Sequence, residues 1–270
     1  MQFCRQVLGV QKNTTNCGVL FELGLTPLIL EAQRLSLKNW NRIKDGNGNS
    51  LLTSSYLNAK IKELDWNQTI CNTLRNYEMQ YRITESGPDL GNAYLGKAKD
   101  ISHQESFAQI VRPDSKLRTY ALIKQNIGQE EYLTKIKNTK QRQKLTKLRL
   151  SNHPLRIETG RHEKPKLNKN ERIYASCVMG VEDEIHFVTK CPLFHDIRAP
   201  LFEACIELKP QFNYYSDEEK FVLAMTTPTL MGNVSNFVTQ AFRERETIFD
   251  VHTTMNEILN KVCKSKRKPK

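Results

Sequence analysis

Cys177, His186 and Cys191 are the residues of this chain whose types and spacing point most directly to chemistry. Eight residues separate Cys177 from His186, and four separate His186 from Cys191. Two thiolates and an imidazole at such intervals can converge on a tetrahedral metal ion, with zinc the expected one. A structural zinc site takes four protein ligands, and this spacing supplies three. Tyr174 stands three residues before Cys177, where a Cys-x2-Cys arm would begin. His195, His162 or a water are open as the fourth donor. Equally open is a metal-free arrangement in which Cys177 and Cys191 are small buried hydrophobes.

Such donors need short arms to carry them. Val181-Glu182-Asp183-Glu184 reads as a polar turn, and Ile185 and Phe187 flank His186 as they would on a strand. The expected carrier is therefore a small β-hairpin. Pro192, directly after Cys191, suits the first turn of a following helix.

The approach to this segment is strongly basic. The chain has 270 residues and a net charge of +12. Between Lys135 and Arg172 there are 13 lysines and arginines against 3 glutamates, a local net charge of +10. Such a concentration favours polyanions, here RNA or DNA met through phosphates. The candidate contacts are Lys144, Lys147, Arg149, Arg156, Arg161, Lys164 and Lys166, with His153 and Tyr174 available to stack or hydrogen-bond. In Gln141–Leu150 the helical spacing turns Leu145, Leu148 and Leu150 inward and Arg142, Lys144, Lys147 and Arg149 outward. A second basic cluster runs from Lys261 to Lys270, and within it Lys264 to Lys270 reads equally as a nuclear import signal or a solvated tail.

Seven scattered cysteines, an odd number, and no apolar stretch of signal-peptide or membrane-spanning length imply reduced thiols. The expected location is the nucleus or cytoplasm, not the secretory route, with no membrane partner.

The rest of the chain reads as helical scaffold. FCRQVLGV and CGVLFELG are short helices stopped at Gly9 and Gly24. Thr26-Pro27 opens a longer one, with Leu28, Ala32, Leu35 and Ile43 on one face and Leu37 and Trp40 widening it. Two more follow at about 51–64 and 69–82. From SGPDLGN to Pro113 the chain reads as irregular, apart from a short helix near 105–111. Leu193–Leu208 is amphipathic, Ser216 and Glu219 form a capping box, and a last helix covers about Val234–Val262. The fold class is mainly α: helical bundle-like regions with a small β-hairpin, zinc-knuckle-like insert. Three regions are expected: helices over 1–114, basic helices and the knuckle-like module over 115–200, and C-terminal helices with the basic tail over 201–270.

KLTKLRLSNHPLRIETGRH, ERIYASC and VEDEIHFVTKCPLF together resemble the C-terminal zinc-knuckle region of reverse transcriptases from non-LTR (LINE-type) retrotransposons. VLGVQKNTTNCGVLFELGLTPLILEAQ resembles the segment just after the polymerase core in the same family. The resemblance extends to about Leu201. It implies a CCHC cluster whose last three ligands are Cys177, His186 and Cys191 and whose first position holds Tyr174. It also implies a role in binding template RNA or target DNA, and makes the polymerase portion of a longer parent protein a further expected partner.

No aromatic-x-Asp-Asp turn is present to hold the metal ions of a polymerase. The nuclease of some relatives is marked by Pro-Asp and a later acidic-x-Lys. Downstream of Cys191 there is no Pro-Asp; Glu218-Glu219-Lys220 fits the acidic-x-Lys part only, and it reads as a helix start. The expectation is a non-enzymatic, nucleic-acid-binding piece of such a reading frame. The alternative is a transposon-derived interaction or structural protein without specific nucleic-acid binding.

Overall fold

The computed structural model describes residues 1–46, 49–62, 64–85, 89–124, 126–174 and 176–265, with side chains as far as Phe249. Its fold is mainly helical, and the chain divides into two compact units. The first unit joins residues 1–23 to 110–270, and the second is residues 24–109. The three sequence regions, broken at 114 and 200, do not follow this division. The reason lies in Leu8, Val19 and Phe21, which share one apolar core with Leu145, Phe187 and Phe237. Among the described residues, no helix is long and apolar enough to cross a membrane.

The second unit holds α3 (Leu28–Lys44), α4 (Ser50–Ile61), α5 (Asp65–Asn76) and most of α6 (Leu90–Val111). Its core is built from Leu30, Leu37, Trp40, Tyr56, Ile70, Leu74, Leu90 and Tyr94. The Trp40 indole N–H donates to Asn67 Oδ1 at 3.1 Å, and the Tyr94 hydroxyl donates to Gln33 Oε1 at 2.5 Å. The expected stripe on α3 is shifted. Leu28 and Leu35 are exposed, and Leu30 and Leu37, one heptad apart, take the buried face. Residues 90–111, expected to be largely irregular, form a continuous helix. Leu90, Tyr94 and Ala98 bury one narrow edge of it at four-residue intervals, a signal diluted by the polar residues between.

The first unit holds α1 (Gln2–Leu8), α2 (Asn16–Leu23), α7 (Tyr120–Ile123), α8 (Tyr132–Lys135), α9 (Thr139–Arg149) and α10 (Arg156–Thr159). It continues through α11 (Glu184–Thr189), α12 (His195–Leu208), α13 (Asp217–Thr226) and α14 (Met231–Ser265). Gly9 ends α1 at φ 68°, a left-handed cap that glycine adopts without strain. The Asn138 side chain caps α9 by accepting from the Lys140 and Gln141 amides. Ser216 and Glu219 form the expected capping box of α13, which accounts for the acidic pair there. α14 packs along α9, α12 and α13. Its backbone helix continues to Ser265, and the tail from Lys266 lies outside the described residues.

Among the described residues, the expected β-hairpin is absent. One isolated antiparallel bridge, Ile173 to Val181, takes its place. The Asp183 carboxylate accepts from the His186 amide at 2.8 Å and starts α11, so His186 sits on a helix instead of a strand. The apparent alternation around His186 is misleading, because Glu184, His186, Phe187 and Val188 are all buried.

Candidate metal centre and basic surface

Cys177, His186 and Cys191 come together in the first unit. Their ligand atoms all lie within 4.8 Å of one another, and all three residues are buried. Cys177 Sγ is 3.2 Å from His186 Nε2. The turn before Cys177 folds onto one acceptor: the Tyr174 carbonyl receives the Cys177 amide at 3.1 Å and the Val178 amide at 3.0 Å. Val178 then takes a left-handed φ of 48°, and Gly180 follows at φ 138°. On the other arm, the Cys191 amide donates to the His186 carbonyl at 2.9 Å, closing α11 over the group.

The donor chemistry fits a metal ion. Burial lowers the His186 imidazole below its ordinary range, which keeps a ring lone pair free for a ligand role. Burial pushes the Cys191 thiol up to about 12, so ligation would require displacement of its proton. His186 Nδ1 is buried and has no hydrogen-bond partner. Among the described residues, no further His, Cys, Asp or Glu joins the three. His195 is exposed at the start of α12, and His162 is exposed in the turn after α10. Tyr174 is buried with its ring beneath the Arg245 guanidinium, 4.6 Å from the ring centroid, and its hydroxyl is unpartnered.

Two buried polar clusters frame this group, and spacing alone did not reveal either. Glu184 Oε1 accepts from the Ser151 hydroxyl at 2.9 Å and is 2.9 Å from His153 Nε2; Glu184 Oε2 accepts from Arg118 at 2.5 Å. Burial raises the Glu184 pKa, but His153 and Arg118 outweigh it and hold the carboxyl at about 2. Glu182 receives Arg245 through two bonds of 2.7 and 2.9 Å, and its Oε2 also accepts the Arg156 amide at 2.7 Å. The signal available in the sequence was the acidic pair Glu182 and Glu184 beside a basic segment.

The basic segment sorts by residue type. All five of its arginines bond protein groups. Arg142 donates to the Ile136 carbonyl and Arg172 to the Ile157 carbonyl, each at 2.8 Å. Arg156 pairs with Glu163, and Arg161 pairs with Glu158 at 3.2 Å. Arg149 is 1% exposed, with its guanidinium on Glu22 at 2.7 Å, on the Met225 carbonyl at 2.9 Å and on Glu130. Arg149 is thus withdrawn from the phosphate-facing set. It lies four residues after Leu145 and shares that buried helix face. His153 and Tyr174 are withdrawn for the same reason, since both are buried.

The lysines do the opposite. Lys137, Lys140, Lys164, Lys166 and Lys169 are exposed, and Lys144 and Lys147 are half-buried. Among the described residues, none of these seven forms an ion pair, and Lys135 pairs with Glu131. Lys140, Lys144 and Lys147 stand at i, i+4 and i+7, one stripe along α9 opposite its buried face. Comparison with known proteins returned no matching family model, no matching curated protein and no matching solved structure.

Proposed function

We propose that the chain is a non-catalytic nucleic-acid-binding segment of a non-LTR retrotransposon reverse transcriptase. It holds RNA or DNA by phosphates on the lysines of residues 137–169, beside a zinc-knuckle-like centre at Cys177, His186 and Cys191. The observation that carries this reading is the partition of the basic segment. Its arginines are engaged by protein acceptors, while seven lysines, five exposed and two half-buried, have no carboxylate partner among the described residues. A run left unpaired repels itself and is relieved by a polyanion.

Lysines act on phosphates as point charges, so affinity with little sequence preference is expected. Zinc suits the donor set. Around a tetrahedral ion with metal–donor bonds of about 2.0–2.3 Å, ligand atoms sit roughly 3.5 Å apart; Cys177 Sγ and His186 Nε2 are 3.2 Å apart, and all three donors lie within 4.8 Å of one another. When bound, the ion serves as a cross-link between the Cys177 turn and α11. Tyr174 supplies no thiolate, so the fourth position falls to a donor other than a cysteine.

A salt series on filter-bound RNA and DNA tests the reading. The logarithm of the binding constant should fall linearly with the logarithm of salt concentration, at about 0.7–0.9 per phosphate neutralised. Replacing Lys140, Lys144 and Lys147 by Glu should flatten that slope. A slope already flat in the parent protein would favour the alternative, a transposon-derived interaction protein without specific nucleic-acid binding.

A further inference from the structure

The first unit carries a surface cleft of about 400 Å³ between the start of α9 and the start of α14. Its volume falls within the range of small-ligand sites, about 300–1,000 Å³. No acidic residue lines it. Ile136 and Met231, both nearly buried, give it an apolar floor. Lys137 stands at its rim as a cation with no carboxylate partner among the described residues. The Gln141 amide nitrogen donates to Asn236 Oδ1 at 2.7 Å across the cleft. That bond ties the two amides together and leaves the Gln141 oxygen as an acceptor and the Asn236 nitrogen as a donor. Gln141 is the i+1 and i−3 neighbour of Lys140 and Lys144, so the cleft adjoins the lysine stripe of α9.

We propose that this cleft is a nucleotide subsite for single-stranded nucleic acid, with the phosphate at Lys137, the base on Ile136 and Met231, and its edge read by Gln141 and Asn236. The inference rests on the nucleic-acid reading above and adds a strand preference to it. Phosphates alone are offered equally by duplexes and single strands. A concave, apolar-floored cleft of one-nucleotide size admits an unstacked base, which a duplex keeps inside its stack. The Gln141 oxygen, an acceptor that a phosphate cannot use, and the Asn236 amide nitrogen, a donor, both suit the hydrogen-bonding edge of a base.

Gly232 offers a test that leaves every charge in place. It lines the cleft, and a Cβ added there meets nothing within 4 Å. It also sits in the first turn of a long helix, where replacing glycine raises helix propensity. The measurement is fluorescence anisotropy of the full chain with a labelled oligouridylate and with a duplex of equal length. Gly232→Phe should weaken single-strand binding about tenfold, the scale of one lost base contact, and leave duplex binding unchanged. Gly232→Ala should bind as the parent does, and Asn236→Ala should reproduce the single-strand loss without added bulk. Unchanged single-strand binding by Gly232→Phe and Asn236→Ala, or equal losses on both ligands, overturns the subsite while leaving phosphate binding intact. A parent protein that binds neither ligand removes the subsite and the nucleic-acid reading together.

Discussion

Arg149 concentrates the energetic stakes of the first unit in one side chain. Its guanidinium is fully buried between Glu22 and Glu130, while the Tyr120 and Tyr132 hydroxyls donate to Glu22 at 2.8 and 2.6 Å. Removing one partner of a buried ion pair strands the other, at a cost of about 3–5 kcal/mol. Arg149→Ala and Glu22→Gln should each lose that much in urea unfolding. The double variant should lose less than the two added together. Lys144→Ala, on the exposed stripe, should stay within about 0.5 kcal/mol of the parent.

The same cluster sets an alkaline limit. Burial, with the Glu22 carboxylate beside them, raises both phenols well above their ordinary value of 10. A folded-state pKa above the unfolded one means that the native form retains protons which the unfolded chain releases. This contribution is complete below pH 10 and is lost as pH climbs beyond it. Ultraviolet titration should show Tyr120 and Tyr132 ionising only together with loss of the helical signal. Loss of the two slow, high-pH phenols, with all nine tyrosines ionising near pH 10 in a still-folded chain, would contradict the buried cluster.

At the scale of elements, Asp183 decides what carries His186. Its carboxylate caps α11, a helix of only 6 residues whose first turn delivers both Glu184 and His186. Losing such a cap costs about 0.5–2 kcal/mol. Because the same turn orients His186, the proposed ligand, Asp183→Ala loaded with zinc should give the ion up at lower chelator concentration than the zinc-loaded parent. Retention equal to the parent would mean that the Cys177 turn positions the group by itself. This element also shows where sequence patterns stop being informative. The donors Cys177, His186 and Cys191 were legible from spacing because ligand chemistry restricts residue type. The strand was not, because a short helix buried on most sides has lost its polar face and with it the 3.6-residue signature. Capping residues are legible because their effect is local: Gly9 ends α1, and Ser216 with Glu219 starts α13. Arg149 did not, because its partners lie 127 and 19 residues away in sequence and only the tertiary fold brings them together.

At the scale of the whole molecule, the first unit is closed by its own beginning. α1 and α2 bring Leu8, Val19 and Phe21 to the core, and Glu22 to Arg149. A fragment covering residues 110–270 keeps the basic segment and all three cysteine and histidine donors, yet lacks that closure. It should lose apolar burial at three core positions and leave the Arg149 guanidinium without Glu22, a combined loss comparable to the 5–15 kcal/mol stability of a typical domain. The expected outcome is a fragment without a cooperative thermal transition, regained when a peptide of residues 1–23 is added. Residues 24–109 have a core that shares no residue with the first, so that segment should unfold cooperatively when expressed separately. Calorimetry of the 110–270 fragment, of the same fragment with the peptide, and of residues 24–109 separates these outcomes. A fragment of 110–270 that melts as sharply alone as with the peptide would show that the closure by α1 and α2 is dispensable. The basic surface and the Cys177, His186 and Cys191 group would then fold without the N-terminal helices.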